Sequence, residues 1–235
     1  MKLSVFNSTA KDGIMSKDEK YFPNLSYQDR TLLYNTTIDR FIKKYNLTDK
    51  VIIINENSKE KPKILTNKTI STKAKIVVLK ETIENTMIGV ETEDDPVIVV
   101  TAKDEKEKST SAIALLTLDN LENKILTEII DTLIKETNKA PFEMTFYISA
   151  CASQKYYEIT KDKIENILFR KAVVKKKGKY YLDIRLAIFN QLISEIADPN
   201  RIYFDSTDTV ENDEFYSKYK KKRGKNLLCI KYIPE

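Results

Sequence analysis

Apolar residues recur every three to four positions in four stretches of the chain, the spacing of one helix face. Ile38, Phe41, Ile42 and Tyr45 form a short amphipathic helix. Leu121, Ile125, Leu126, Ile129, Ile130, Leu133 and Ile134 predict a helix over 121–134, capped by Asp119 or Asn120. That stripe reads as core rather than as a cofactor box. A third helix runs from a Thr160 cap through Ile164, Ile167 and Leu168. A fourth carries Ile188, Phe189, Leu192, Ile193 and Ile196 and ends near Asp198-Pro199.

Short β-branched runs predict strands at 51–54, 75–79, 87–90, 97–100, 112–116, 146–149, 202–204 and 227–233. Strands dominate before the long helix and mix with helices after it. That order points to α+β architecture, mixed β-sheets flanked by helices, rather than to regular βαβ alternation. No Pro/Gly/Ser linker divides the chain, so the expectation is a single domain over 1–235.

Composition narrows the chemistry. With 235 residues, 41% hydrophobic and 32% charged, the chain suits an ordinary globular protein with a real core. No apolar run approaches the ~20 residues of a membrane span. "MKLSVFNSTAKDG" lacks the apolar region of a secretory signal, so the expected location is cytoplasmic. The 2 cysteines, Cys151 and Cys229, have no metal-ligand spacing. With 4 glycines there is no phosphate-cradling GxGxxG or P-loop. The chain has 0 histidines. Ser-His-Asp and Cys-His nucleophilic sites are therefore excluded, together with the commonest ligand of zinc, copper and iron. Any chemistry must use carboxylates, Lys, Tyr, Cys or hydroxyls.

Three features are candidates. In "MIGVETEDDPVIVV", Glu91, Glu93, Asp94 and Asp95 sit between two strands: a hard-cation site, an acid/base pair, or a solvated loop. Cys151 is either a nucleophile and pocket residue or a packed thiol; no histidine can activate it. The net charge of +5 is uneven, the basic residues gathering in "RKAVVKKKGKYY" and "YSKYKKKRGKN". With Tyr180, Tyr181, Tyr216 and Tyr219, these runs are candidates for phosphate or single-strand binding; the alternative is a solvated Lys-rich face.

The order of motifs resembles the laccase-domain family, also described as polyphenol-oxidoreductase-like, purine nucleoside phosphorylase-like or peptidoglycan editing factor. "YISACASQKYYEI" resembles the family's "IGPCIGPCCYEV", with Cys151, Tyr157 and Glu158 matching. "YYLDIRLAIFNQL" resembles its "DLxxxNRxQL" helix. "EFYSKYKKKRGKNLLCIKYI" resembles "FFSYRRDGxTGRxxxxI"; Phe215, Ser217 and Gly224 match, and Lys225 replaces Arg. Upstream, "VIIINENSKE" stands where the family has "QVHG", "ETEDDP" where it has "TADCLP", and "AIALLTLDNLE" where it has "AVAAVHAGWRG". The resemblance runs from about residue 30 onward.

The resemblance implies a laccase-domain fold and a zinc-dependent activity on purine nucleosides, by phosphorolysis or deamination, with a peptidoglycan-precursor editing role in bacteria. It implies that a His, a Cys and a His would converge on zinc at positions that are here Asn57, Asp94 and Thr117. One carboxylate and two neutral oxygens make a poor zinc site, since a catalytic zinc takes three protein ligands. The expectation is therefore a degenerate, zinc-free member and no cofactor, retaining a pocket for a nucleoside or cell-wall nucleotide. Two alternatives stand beside it: an enzyme rebuilt around Asp94, or an anion or nucleic-acid binder using Lys220, Lys221, Lys222, Arg223 and Lys225. The expected partner is a small nucleoside or nucleotide; membrane binding is not expected, nucleic acid is the weaker reading, and the protein is expected to be a monomer.

Overall fold

The computed structural model describes residues 1–47, 50–54, 60–69, 71–164, 169–221 and 223–234. In chain order they form β1 (Lys2–Asn7), α1 (Tyr27–Lys44), β2 (Lys50–Ile53), β3 (Lys63–Ile64), β4 (Val77–Lys80), β5 (Thr86–Thr92), β6 (Val97–Lys103) and β7 (Ser109–Leu115). There follow α2 (Leu118–Glu122), α3 (Ile125–Thr137), β8 (Thr145–Ile148), β9 (Glu158–Ile159), α4 (Lys161–Ile164), β10 (Val173–Lys176), β11 (Lys179–Leu182), α5 (Ile184–Ser194), β12 (Ile202–Phe204) and β13 (Asn226–Ile233). The fold is α+β, with mixed sheets.

Two sheets stack. One has the order β1-β13-β5-β2 and the other β12-β8-β6-β7-β4-β3. Alternation along each strand shows why their sequences are apolar almost throughout. In β6, Ile98 and Val100 face α3 and α5, whereas Val97 and Val99 face the other sheet. In β13, Leu228 and Ile230 meet that same intersheet core, whereas Leu227 and Cys229 pack under α1 with Phe41 and Met87. The layers are thus helix, sheet, sheet, helix. Strands covered on both faces need both side-chain sets apolar, which gives continuous runs instead of strict alternation. Each fully buried aliphatic side chain contributes about 1.5–3 kcal/mol. The first strand is held by the last of the described strands, Lys2 opposite Ile233 through Asn7 opposite Leu228. No helix among the described residues is long and apolar enough to cross a membrane.

Several elements differ from the sequence expectation. The helix expected over 121–134 is two helices, broken where Lys124 takes φ 58. It begins earlier than expected because the Thr117 hydroxyl, not Asp119 or Asn120, is the cap, accepting the Asn120 N–H. Helix α1 starts eleven residues before Ile38, because Ser26 caps it by accepting the Asp29 N–H at 3.1 Å. Its first turns are polar and expose Leu32 and Leu33, so apolar spacing did not reveal them. Helix α4 covers Lys161–Ile164; Ile167 and Leu168 lie outside the described residues. Helix α5 ends at Ser194, and Ile193 and Ile196 are exposed rather than core. Strands β1, β3 and β9 and the β10–β11 hairpin were not foreseen.

Candidate functional site

The acidic stretch is the corner where the chain leaves one sheet at the end of β5 and enters the other at β6. Crossing between sheets interrupts the ladder, so the corner's polar groups need other partners. Thr92 Oγ1 donates to the Asp95 carbonyl, and the Pro96 carbonyl accepts from Leu116 N–H at 2.8 Å. These bonds fix the turn at the neighbouring ends of β6 and β7.

Each carboxylate of the corner has a protein partner. Asp94 is completely buried. Its Oδ1 accepts from Thr209 Oγ1 at 2.6 Å and its Oδ2 from the Lys218 N–H at 2.8 Å. Its carbonyl accepts from Ala152 N–H at 3.0 Å. One residue therefore ties together the turn after β8 and two segments before β13. Asp95 Oδ1 accepts from the Tyr157 hydroxyl. Burial, then the Asp95 charge, pushes the Tyr157 phenol well above its ordinary value. Lys218 Nζ stands 5.3 Å from the Tyr157 ring centre and 5.2 Å from that of Tyr219. Desolvation pulls this ammonium down, but Asp95, the Tyr219 phenol, Asp94 and Glu93 together hold it above the usual lysine range. Glu93 accepts from Tyr21 Oη at 2.6 Å and lies 3.7 Å from Lys20 Nζ. Glu91 lies 3.7 Å from Lys225 Nζ and also engages the Tyr34 hydroxyl.

The other anticipated positions are equally occupied. Thr117 caps α2. Cys151 is fully buried rather than open to a pocket, and burial, partly countered by Arg185, pushes its thiol up to about 12. Its carbonyl accepts from Thr209 N–H at 3.2 Å. Lys220 Nζ donates to the carbonyls of Asn212 and Phe215, the latter at 3.2 Å. Lys221 and Arg223 are exposed, whereas Lys225 is half-buried beside Glu91. Asn57 and Lys222 lie outside the described residues. Thr209 and Tyr21 carry no sequence signal, and Lys218 stands out only as part of a basic run, because a lone hydroxyl or a main-chain donor far along the chain leaves no spacing signal. A cleft of about 650 Å³ opens between α1 and the ends of β2 and β5, lined in part by Tyr27, Arg30, Ile54, Glu91 and Lys225.

The family model described as multi-copper polyphenol oxidoreductase laccase matches residues 118–232. Three solved structures share the fold. YfiH of Bacillus licheniformis superposes with a TM-score of 0.68 at 14% identity, over 84% of this chain and 80% of its own. YlmD of Geobacillus stearothermophilus gives 0.71 at 13% identity, over 84% and 79%. A Neisseria meningitidis protein gives 0.60 at 16% identity, over 84% and 80%. Residues 118–232 thus match the laccase family model, and the chain shares the fold of the three structures. No protein with a curated description matches it in sequence.

The zinc that the laccase-domain resemblance implies would meet Asp94 and Thr117 within the described residues. Neither fits it well. A metal at Asp94 would have to reach a carboxylate that has no exposed surface and already accepts from Thr209 and the Lys218 amide. Thr117 is a neutral hydroxyl bound into a helix cap. Among the described residues no three His, Cys, Asp or Glu side chains gather where they could hold a metal.

Proposed function

We propose that this laccase-domain protein works without zinc-dependent catalysis, binding a nucleoside or cell-wall nucleotide rather than transforming it. The observation that carries this reading is the state of Asp94. The one anionic residue among the inherited ligand positions is buried, and both of its oxygens accept protein hydrogen bonds. A ligand to a catalytic zinc needs a free lone pair aimed at the metal, and the metal needs an open fourth position. A general base needs an oxygen within reach of the proton that it removes. Asp94 has no exposed surface and each of its oxygens already accepts a hydrogen bond, which weighs against an enzyme rebuilt around it as well.

Binding has room in the cleft between α1 and the ends of β2 and β5, whose volume of about 650 Å³ suits a small organic ligand. Tyr27 offers a ring, and Arg30, Glu91 and Lys225 border it with charge. The test is to incubate the full chain with adenosine and inosine, with and without phosphate and Mg²⁺, and to measure both turnover and binding heat. Binding without release of base or ammonia is expected. Turnover that Asp94→Asn abolishes in a folded protein would establish the rebuilt-site reading instead.

A further inference from the structure

The two basic runs of the sequence have different fates. Around 218–225, the Lys218 ammonium lies over the Tyr157 and Tyr219 rings, Lys220 bonds the Asn212 and Phe215 carbonyls, and Lys225 stands beside Glu91. The run at 175–179 instead forms the tip of a hairpin. Strands β10 and β11 pair antiparallel and turn through Lys177 at φ 51 and Gly178 at φ 79. Two consecutive left-handed residues are the requirement of a tight two-residue hairpin loop. Val174 stands opposite Tyr181, and Lys176 opposite Lys179. With strand period two, all four lie on one face of the hairpin.

Like charges directly opposed across a ladder destabilise it. Lys179 is compensated by Glu158 at 2.8 Å, and Lys175 lies 5.4 Å from the Tyr180 ring centre. Lys176 and Lys177 have no carboxylate partner among the described residues. They border a concavity of about 420 Å³ whose other walls are Gln154, Lys155, Val174 and Tyr181. Val174 is an exposed aliphatic in that wall, 47% accessible. Lys176 and Lys177 thus place two adjacent positive charges at a tight turn beside an apolar floor, with Glu158 engaged by Lys179.

We propose that this concavity binds a small phosphorylated molecule carrying a flat apolar group. Lys176 and Lys177 take the phosphate as point charges, the usual manner of lysine, while Lys155 in the same wall is paired with Glu211. Tyr181 and Val174 take the flat group, and the Gln154 amide supplies a directional hydrogen bond. The volume falls in the range of small-molecule sites. The proposal does not depend on the reading of the zinc positions, because it rests on other elements.

The test is calorimetric titration of the full chain with phenyl phosphate, inorganic phosphate, phenol and a single-stranded oligonucleotide. Phenyl phosphate is expected to bind more tightly than phosphate, and phenol not at all. Added salt weakens the binding. Lys176→Glu with Lys177→Glu weakens it by about tenfold or more, since two attractions become repulsions. The same charge change at Lys106→Glu with Lys108→Glu, exposed on the β6–β7 turn, leaves it unchanged. Circular dichroism confirms that both double variants fold. Absence of phenyl phosphate binding, equal loss in the control pair, or tighter oligonucleotide binding through Lys176 and Lys177 would overturn the proposal.

Discussion

The Thr209 hydroxyl donates to Asp94 Oδ1 at 2.6 Å across 115 positions of sequence, inside a site from which solvent is excluded. A buried carboxylate costs stability unless each oxygen is hydrogen-bonded. Thr209 and the Lys218 amide together meet that requirement, so the pair fastens the segment before β13 onto the corner between the sheets. Thr209→Val is expected to destabilise by about 1–2 kcal/mol and Asp94→Asn by about 2–3 kcal/mol. Because the two share one bond, the double variant should fall short of the sum by about 1 kcal/mol. Urea melts of the four proteins measure this coupling. Strict additivity would mean that the bond contributes nothing.

Cys151 should be inert. A thiol with its pKa pushed up to about 12 is protonated at neutral pH, and this one has no exposed surface. Cys229 is also buried, with its thiol pushed up by burial. Native protein is expected to show no rapid reaction with Ellman's reagent, and both thiols should appear on unfolding. Rapid labelling of Cys151 in native protein would restore it as a pocket residue.

Acid should loosen the end of α1. Burial alone would raise the Asp12 carboxyl. The Thr9 N–H and hydroxyl and the Lys44 ammonium, 3.0 Å away, outweigh burial and hold it below its ordinary value. A carboxyl depressed in the folded state contributes stability above its unfolded pKa, and that contribution is lost as pH falls through the folded one. Asp12→Asn is therefore expected to destabilise by about 1–2 kcal/mol at neutral pH. The gap from wild type should close below the ordinary carboxylate range. A gap that is constant with pH would show that Asp12 acts by shape alone.

Gly224 is a packing requirement. A Cβ there would stand 2.7 and 2.8 Å from ring atoms of Tyr216. The Tyr216 ring cannot retreat easily. Its main chain is bound twice by the Asn226 amide, and its hydroxyl donates to the Ala10 carbonyl at 3.2 Å. Gly224→Ala is expected to destabilise by about 1–3 kcal/mol, read as a lower melting temperature without loss of secondary structure.

Most of the scaffold was legible because it is written in local patterns. The β-branched runs at 97–100 and 112–116 became the central strands β6 and β7, and the stripe ending at Ile134 became the core face of α3. What was hidden follows from composition. The β10–β11 hairpin is masked by lysines, and the front of α1 by polar residues. At the site, the order of motifs singled out Asp94 as the pocket candidate of the acidic corner; the structure buries it against Thr209 and the Lys218 amide. That its partners are a threonine and a backbone amide before β13 has no counterpart in spacing, since a long-range hydrogen bond leaves no periodicity.

The most direct test of a zinc-independent protein is the metal content of the purified 235-residue chain, prepared with zinc in the growth medium and washed without strong chelator. With Asp94 bound to Thr209 and Lys218, only trace zinc, well below one equivalent, is predicted, with the same melting temperature before and after a chelator is added. A full equivalent of tightly held zinc, whose removal lowers the melting temperature, would contradict the account.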